Sequence, residues 1–291
     1  MKIKDIYMQK KESKKPVFSF EIFPPNSKHP IDTIYNTIDE LSKFNPDFIS
    51  VTYGAGGSTR GRTVEIASRI KNKYNIESLA HLTCIEAKKN EIDDILYKLK
   101  ENNIENILAL RGDHPIDREP IKGDFNYASD LITYIKNKNM DFSLGGAYYP
   151  EGHFETNDLM DLFNLKRKVD LGAEFLISQI FLDNEILYRF KEKTDKLGIN
   201  VPFAAGIIPV TNAKQMKRIF SLSHCSISPK FKRILDKYEH NPEALKEAGI
   251  AYATEQIIDL VAWGIDGIHL YTMNKIDTTR KIVKDIEYII K

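Results

Sequence analysis

Val17-Phe18-Ser19-Phe20-Glu21-Ile22-Phe23, halted by Pro24-Pro25, carries apolar residues at odd and even positions alike. A strand with one wet face alternates, whereas a parallel strand covered on both faces stays apolar throughout. Comparable runs recur at Phe48–Tyr53, Ser78–Thr83, Ile107–Arg111, Phe142–Ala147, Phe175–Ile180, Phe203–Ile207 and Ile268–Thr272. The first seven start about 28 to 35 residues apart, the length of one βα unit; the last gap is longer and holds an extra segment, Ser226 to Glu247. Between the strands lie amphipathic patterns such as Glu91–Lys100, with Ile92, Ile95, Leu96 and Leu99 on one face, and likewise Leu159–Leu171 and Thr254–Trp263. Asp32, Thr211 and Thr278 are candidate helix caps. Eight alternating pairs predict a closed α/β barrel, a (β/α)8 TIM barrel, in preference to an open doubly wound sheet. No Gly/Ser-rich hinge divides the chain, so residues 1–291 read as a single domain.

At 42% hydrophobic and 29% charged, the 291 residues can bury a large core and stay in solution. Lys+Arg 42 against Asp+Glu 41 leaves a net charge of +1, which argues against a broad nucleic-acid or membrane footprint. Two cysteines, Cys84 and Cys225, point to a reducing compartment and exclude a four-cysteine cluster from this chain alone. The Lys-rich start, Met1 to Lys15, lacks the apolar stretch of a secretory signal, so the expected location is cytoplasmic.

In a barrel of this kind, chemistry belongs to the C-terminal strand ends. Glu21, between Phe20 and Ile22, reads equally as a carboxyl kept protonated by desolvation and as the partner of an Arg or Lys on a neighbouring strand. Gly56 to Thr63 imitates a phosphate-binding loop, but Arg62 stands where that loop needs Lys, and Thr59 breaks a dinucleotide fingerprint. The glycines there suit close approach to a ligand. His81, alone in an apolar strand, reads first as a hydrogen-bonded core residue. Arg111-Gly112-Asp113 reads as a strand-end ion pair or as opposite charges beside an approachable backbone. After strand 5, Tyr149 offers a stacking face and His153 a donor. Asp161, Asn164 and Lys168 share one helix face, either as solvated charge or as an anchor for a diphosphate. Gln179 suits the edge of a heterocycle or a buried hydrogen bond. Neither H-E-x-x-H, paired C-x-x-C nor G-x-S-x-G occurs, so zinc hydrolysis and serine-nucleophile chemistry have no support.

Taken jointly, these segments resemble the methylenetetrahydrofolate reductase family in its short bacterial form. The matching runs are Phe18–Pro25, Ser50–Ala55, His81–Ile85, Ala109–Asp113, Tyr127–Leu131, Tyr149–Glu151, Asn164–Lys168 and Tyr271–Asn274, in family order from strand 1 to strand 8. The resemblance implies a barrel that binds FAD without a dinucleotide fold. It implies NAD(P)H-dependent reduction of 5,10-methylenetetrahydrofolate to 5-methyltetrahydrofolate for methionine synthesis, by ping-pong kinetics on one flavin face. No C-terminal regulatory domain of the eukaryotic kind is expected, and relatives assemble as homo-oligomers.

By the same resemblance Glu21 is the general acid that opens the five-membered ring at N10, leaving an electrophilic iminium at N5 to receive hydride from reduced flavin. Thr52 matches a residue near the nicotinamide. Tyr53, Ala55, His81, Arg111, Gly112, Asp113, Ala128, Tyr149, His153, Asp161, Asn164, Arg167 and Lys168 match the FAD shell. Asp113, Gln179 and Gln215 match contacts on the pterin side. Lys275 stands where the family commonly has Arg, which keeps the charge and loses the planar fork of a substrate contact. Ile219 stands where an aromatic residue is common, and the glycine-rich stretch after Ala55 differs from close bacterial relatives. NADH, NADPH and a protein electron donor all stay open, with NADH favoured by likeness. Two other readings compete: a non-flavin barrel lyase or aldolase using Glu21 and Asp113 on a phosphorylated substrate, which flavin absorbance of the purified protein would exclude, and a non-catalytic folate- or flavin-binding regulator, against which the retained Glu21 argues.

Overall fold

A computed structural model describes residues 1–25, 30–53, 60–114, 119–153, 155–223 and 225–290, the side chains of Arg60, Gln215, Lys217, Arg218, Ser221 and Leu222 excepted. Helix α1 (Ile3–Glu12) precedes strand β1 (Val17–Ile22). The chain then alternates through α2 (Asp32–Ser42), β2 (Phe48–Val51), α3 (Arg60–Tyr74), β3 (Glu77–Thr83), α4 (Lys89–Glu101), β4 (Asn106–Leu110), α5 (Ala128–Asn137) and β5 (Ser143–Tyr148). It continues with α6 (Asp158–Asp170), β6 (Phe175–Ser178), α7 (Asn184–Lys196), β7 (Phe203–Ile207) and α8 (Ala213–Ser223). The extra segment supplies α9 (Pro229–Tyr238) and opens α10 (Pro242–Trp263), before β8 (Gly267–Tyr271) and α11 (Ile276–Ile290). All strands pair in parallel and in chain order, and β8 closes on β1. The predicted closed barrel is present, and no strand bound moves by more than two residues from its expected place.

The inside of the barrel changes character along its axis. At the N-terminal end Val17, Phe48, Leu79, Leu108, Phe175 and Ala204 form an apolar plug. On β1, β2, β3 and β8 the inward residues of the next layer, Ser19, Ser50, His81 and His269, are polar yet buried, whereas β4 and β6 continue apolar through Leu110 and Ile177. Above them stand Glu21, Thr52, Gln179 and Tyr271. Strand alternation turns these residues inward, because every second side chain points into the barrel, and the residue types at successive inward positions set the gradient. Outside the sheet, Phe20, Ile22, Ile49, Val51, Leu82 and Ile107 pack with the helices in the main core.

Helix α1 seals the apolar end, a role not foreseen from the Lys-rich N-terminus. Ile3, Ile6 and Tyr7, at i, i+3 and i+4, are buried against the plug. Asn106 fixes the helix start by accepting from the Ile3 N–H at 2.7 Å and donating to the Met1 carbonyl at 3.2 Å.

Helix starts departed furthest from expectation. Asp32 is the first residue of α2 rather than its cap, and its charge lies in the first turn, where it complements the helix dipole. Thr211 precedes α8 by two residues, and its hydroxyl instead accepts from Lys275 at 2.8 Å. Thr278 is buried inside α11. The turn before that helix begins earlier, with Met273 and Asn274 at φ 51° and 55° and the Asn274 N–H donating to the Thr272 hydroxyl at 3.1 Å.

Gly206 on β7 leaves the room that Tyr271 occupies. An added Cβ would lie 2.6 Å from the Tyr271 hydroxyl and 2.6 Å from the Ser178 carbonyl, the group to which that hydroxyl donates at 2.6 Å. Gly206→Ala is therefore expected to destabilise the fold by about 1–3 kcal/mol, as overpacking does. Thermal unfolding checks this, and an unchanged midpoint refutes the close fit.

Candidate active site

The strand register gathers the polar side chains at the C-terminal mouth. Glu21 lies level with Tyr271 of β8 and Ser50 of β2. Its backbone carbonyl accepts from the Thr272 hydroxyl at 2.7 Å, which anchors the end of β1. Among the described residues no Arg or Lys pairs with the Glu21 carboxylate. Its Oε2 instead lies 3.6 Å from His81 Nε2 and 3.9 Å from His269 Nε2. Burial raises the carboxyl above its ordinary range, and the attraction of His81 only partly opposes this. Burial pushes His81 down to about 4 and His269 down to about 3, so both rings are neutral at pH 7. The environment is thus a carboxyl with a raised pKa beside two uncharged imidazoles.

His81 is buried, and its Nε2 has no hydrogen-bond partner among the described residues, so it is no satisfied core histidine. Thr52 and Tyr53 follow β2, half-buried at the rim. Ala55 lies outside the described residues, together with the glycine-rich turn around it, and the side chain of Gln215 is likewise outside them.

After β4 the backbone turns through Gly112 at φ +81°, and an added Cβ there would meet Thr83 Cβ at 2.9 Å. Glycine is required on both counts. Arg111 forms its ion pair with Glu155 rather than with Asp113, which is exposed. The strand-end ion pair within the triplet therefore does not form. Ala128 opens α5, whose first turn is held by Asp130 accepting from the Asn126 and Tyr127 N–H groups at 3.0 Å.

Past β5, the rings of Tyr149 and His153 meet edge to face with centroids 4.7 Å apart. Burial lifts the Tyr149 hydroxyl to about 12, while burial and the nearby Arg111 lower His153. On α6, Asp161 is 9% exposed, and Lys168 donates to the Ala147 carbonyl. Burial brings the Lys168 ammonium down to about 8, against the pull of Asp161. These two are not a solvated charge face. Asn164 and Arg167, on the same helix, are exposed.

Across the mouth the Gln179 Oε1 accepts from the Ile180 N–H at 2.9 Å. Lys275 donates to Thr211, and burial lowers its ammonium. Ile219 does not face the mouth openly; it packs at 7% exposure in a satellite core with Leu182, Ile208 and Phe231. His269, Ser19 and Tyr271 are site residues that sequence reading missed. Their signal was the strand parity they share with Glu21.

A groove of about 800 Å³ lies on the opposite, N-terminal face, lined among others by Lys10, Asp47, Tyr74 and Glu77. None of the side chains above reaches it.

The mouth combines a carboxyl, an aromatic face and a half-buried ammonium, that of Lys168, which forms no salt bridge among the described residues. This set fits FAD: Lys168 and the α6 face suit a diphosphate, Arg111 and Gly112 allow close backbone and cation contact, and Tyr149 suits a ring.

The sequence model of the methylenetetrahydrofolate reductase family matches residues 6–287. The chain is 39% identical over 266 residues to 5,10-methylenetetrahydrofolate reductase of Escherichia coli, covering 91% of this chain and 88% of that protein. It is 37% identical over 288 residues to methylenetetrahydrofolate reductase (NADH) 1 of Arabidopsis thaliana, covering 94% of this chain. The chain spans about half (49%) of that plant relative's length. Among solved structures, an uncharacterized protein from Clostridium thermocellum that binds two copies of 5-methyl-5,6,7,8-tetrahydrofolic acid superposes with a TM-score of 0.67. That likeness, at 16% identity over 97% of this chain and 99% of the other, concerns the fold.

Proposed function

The chain belongs to the methylenetetrahydrofolate reductase family, and from that membership we propose that it reduces 5,10-methylenetetrahydrofolate to 5-methyltetrahydrofolate, with FAD as its redox group and NADH as reductant. The observation that carries this reading is Glu21: a carboxyl 19% exposed at the barrel mouth, without a cationic partner among the described residues, beside two neutral imidazoles. FAD, when bound, supplies the hydride chemistry.

The rest falls to the chain's own side chains. Lys168 and Asn164 would hold the diphosphate end, with Asp161 keeping Lys168 charged, Arg167 would add a cation at its exposed edge, and His153 and Arg111 would flank it. Tyr53, His81, Gly112, Ala128 and Tyr149 would shape the ring's surroundings, and Thr52 would contact the nicotinamide. Glu21 keeps its proton at neutral pH and gives it to N10 of the folate, which opens the bridging ring. Asp113 and Gln179 orient the pterin by accepting from its N–H groups, and Lys275 adds positive charge on the substrate side. The product of this chemistry is suited to methyl transfer toward methionine.

The test is reconstitution with FAD, followed by anaerobic addition of NADH or NADPH and then of the folate. NADH is expected to bleach the flavin more readily than NADPH, and methylenetetrahydrofolate to restore its colour. A polypeptide that stays colourless and takes up no FAD contradicts the proposal.

A further inference from the structure

Behind the Glu21 carboxyl, His269 is wholly buried and tied at both ring nitrogens. Its Nδ1 is 2.7 Å from the Ser19 hydroxyl and its Nε2 is 3.1 Å from the Ser50 hydroxyl. Phe48 stacks below the ring with centroids 5.7 Å apart, and Tyr271 meets it edge-on at 5.6 Å. The register makes this arrangement: Ser19 pairs with His269, and one pleat further Glu21 pairs with Tyr271 and with Ser50. Three strands thus place one imidazole between two hydroxyls, with its Nε2 facing Glu21 Oε2 at 3.9 Å.

A hydroxyl can donate or accept, so the two serines satisfy a neutral ring in either tautomer without bringing in charge. The ring also fills the volume directly behind the carboxyl. Removing it would leave a cavity lined by Ser19, Ser50 and Glu21 oxygens, polar enough to hold water. Water there would solvate the carboxylate and undo the desolvation that keeps the acid uncharged.

Resting on the functional reading above, we propose that His269, clamped by Ser19 and Ser50, is a positioning residue for proton donation: it excludes water from the back of Glu21 and keeps that carboxyl in its acid form. Among the described residues the titratable groups acting on Glu21 are His81 on β3 and Tyr271 and His269 on β8. The polar group that β2 offers is the uncharged Ser50. The triad therefore controls hydration rather than charge.

The experiment follows reoxidation of NADH-reduced, FAD-loaded protein by methylenetetrahydrofolate across pH, alongside reduction of the oxidised protein by NADH. In wild type the folate rate is expected to fall as pH rises through the raised range of Glu21. In His269→Ala that alkaline limb is expected to move to lower pH by roughly one unit, with NADH reduction unchanged. His269→Gln, whose amide can bridge the two serines, is expected to restore the wild-type limb. A limb that stays in place in His269→Ala, or equal slowing of both half-reactions, overturns the proposal. Should His269→Ala not fold, Ser50→Ala removes one hydroxyl only; a smaller shift in the same direction supports the proposal and none overturns it. A wild-type protein whose reduced flavin never reacts with the folate fails the functional reading itself, a result visible before any variant is made, and this inference falls with it.

Discussion

Replacing Glu21 by Gln is expected to slow reduction of methylenetetrahydrofolate by about 10²–10⁴-fold, the usual contribution of a positioned general acid, while FAD binding and reduction by NADH continue. Gln keeps the size and the hydrogen-bonding reach of the carboxyl but has no acidic proton to give. The site should otherwise hold its shape, because the Glu21 backbone is fixed independently by Thr272 and by its pairing with Ser50 and Tyr271. Hydride leaves NADH without any proton from this side chain, so the two half-reactions separate cleanly. Stopped-flow absorbance of the flavin reads each in turn. Equal slowing of both would show that Glu21 maintains the site and is not its acid.

Lys168→Ala is expected to weaken FAD binding by about 10- to 100-fold, the equivalent of one hydrogen bond to a charged group. Burial holds this ammonium near 8, and its protein contacts are the Ala147 carbonyl and the field of Asp161. A diphosphate arriving there favours the charged form and raises the pKa in the complex. Binding then takes up a proton: affinity is greatest below about pH 8 and declines as pH rises above it. Fluorescence titration of FAD in buffers of different ionisation enthalpy, paired with calorimetry, measures both quantities. In the Ala variant the proton uptake should vanish along with the affinity. Unchanged flavin retention would remove Lys168 from the diphosphate contact.

Much of this architecture can be read from residues alone because parallel strands covered on both faces are nearly continuous apolar runs, and eight of them recur at βα spacing. The inward layers were harder to read. His269 lies within Ile268–Thr272, between Ile268 and Leu270, where it looks like an isolated core histidine; only the closure of β8 on β1 brings it to Ser19 and Glu21. Helix α1 was hidden by its lysines, since Ile3, Ile6 and Tyr7 are the only strongly buried positions of an otherwise charged segment. Arg111 and Asp113 adjoin in sequence, yet the turn at Gly112 sends the guanidinium to Glu155 instead. Thr278 resembled a cap, but the left-handed pair Met273 and Asn274 begins the helix a turn earlier. In each instance contacts between distant segments override a correct local pattern.

The most direct measurement is the protonation state of Glu21 itself, by isotope-edited infrared difference spectroscopy of wild type against Glu21→Gln. A protonated-carboxyl band, absent from the variant, is expected to persist above the ordinary carboxylate value of 4.5 and into neutral pH. A band that disappears as pH rises through 4.5, leaving an ionised side chain at neutrality, would contradict that expectation.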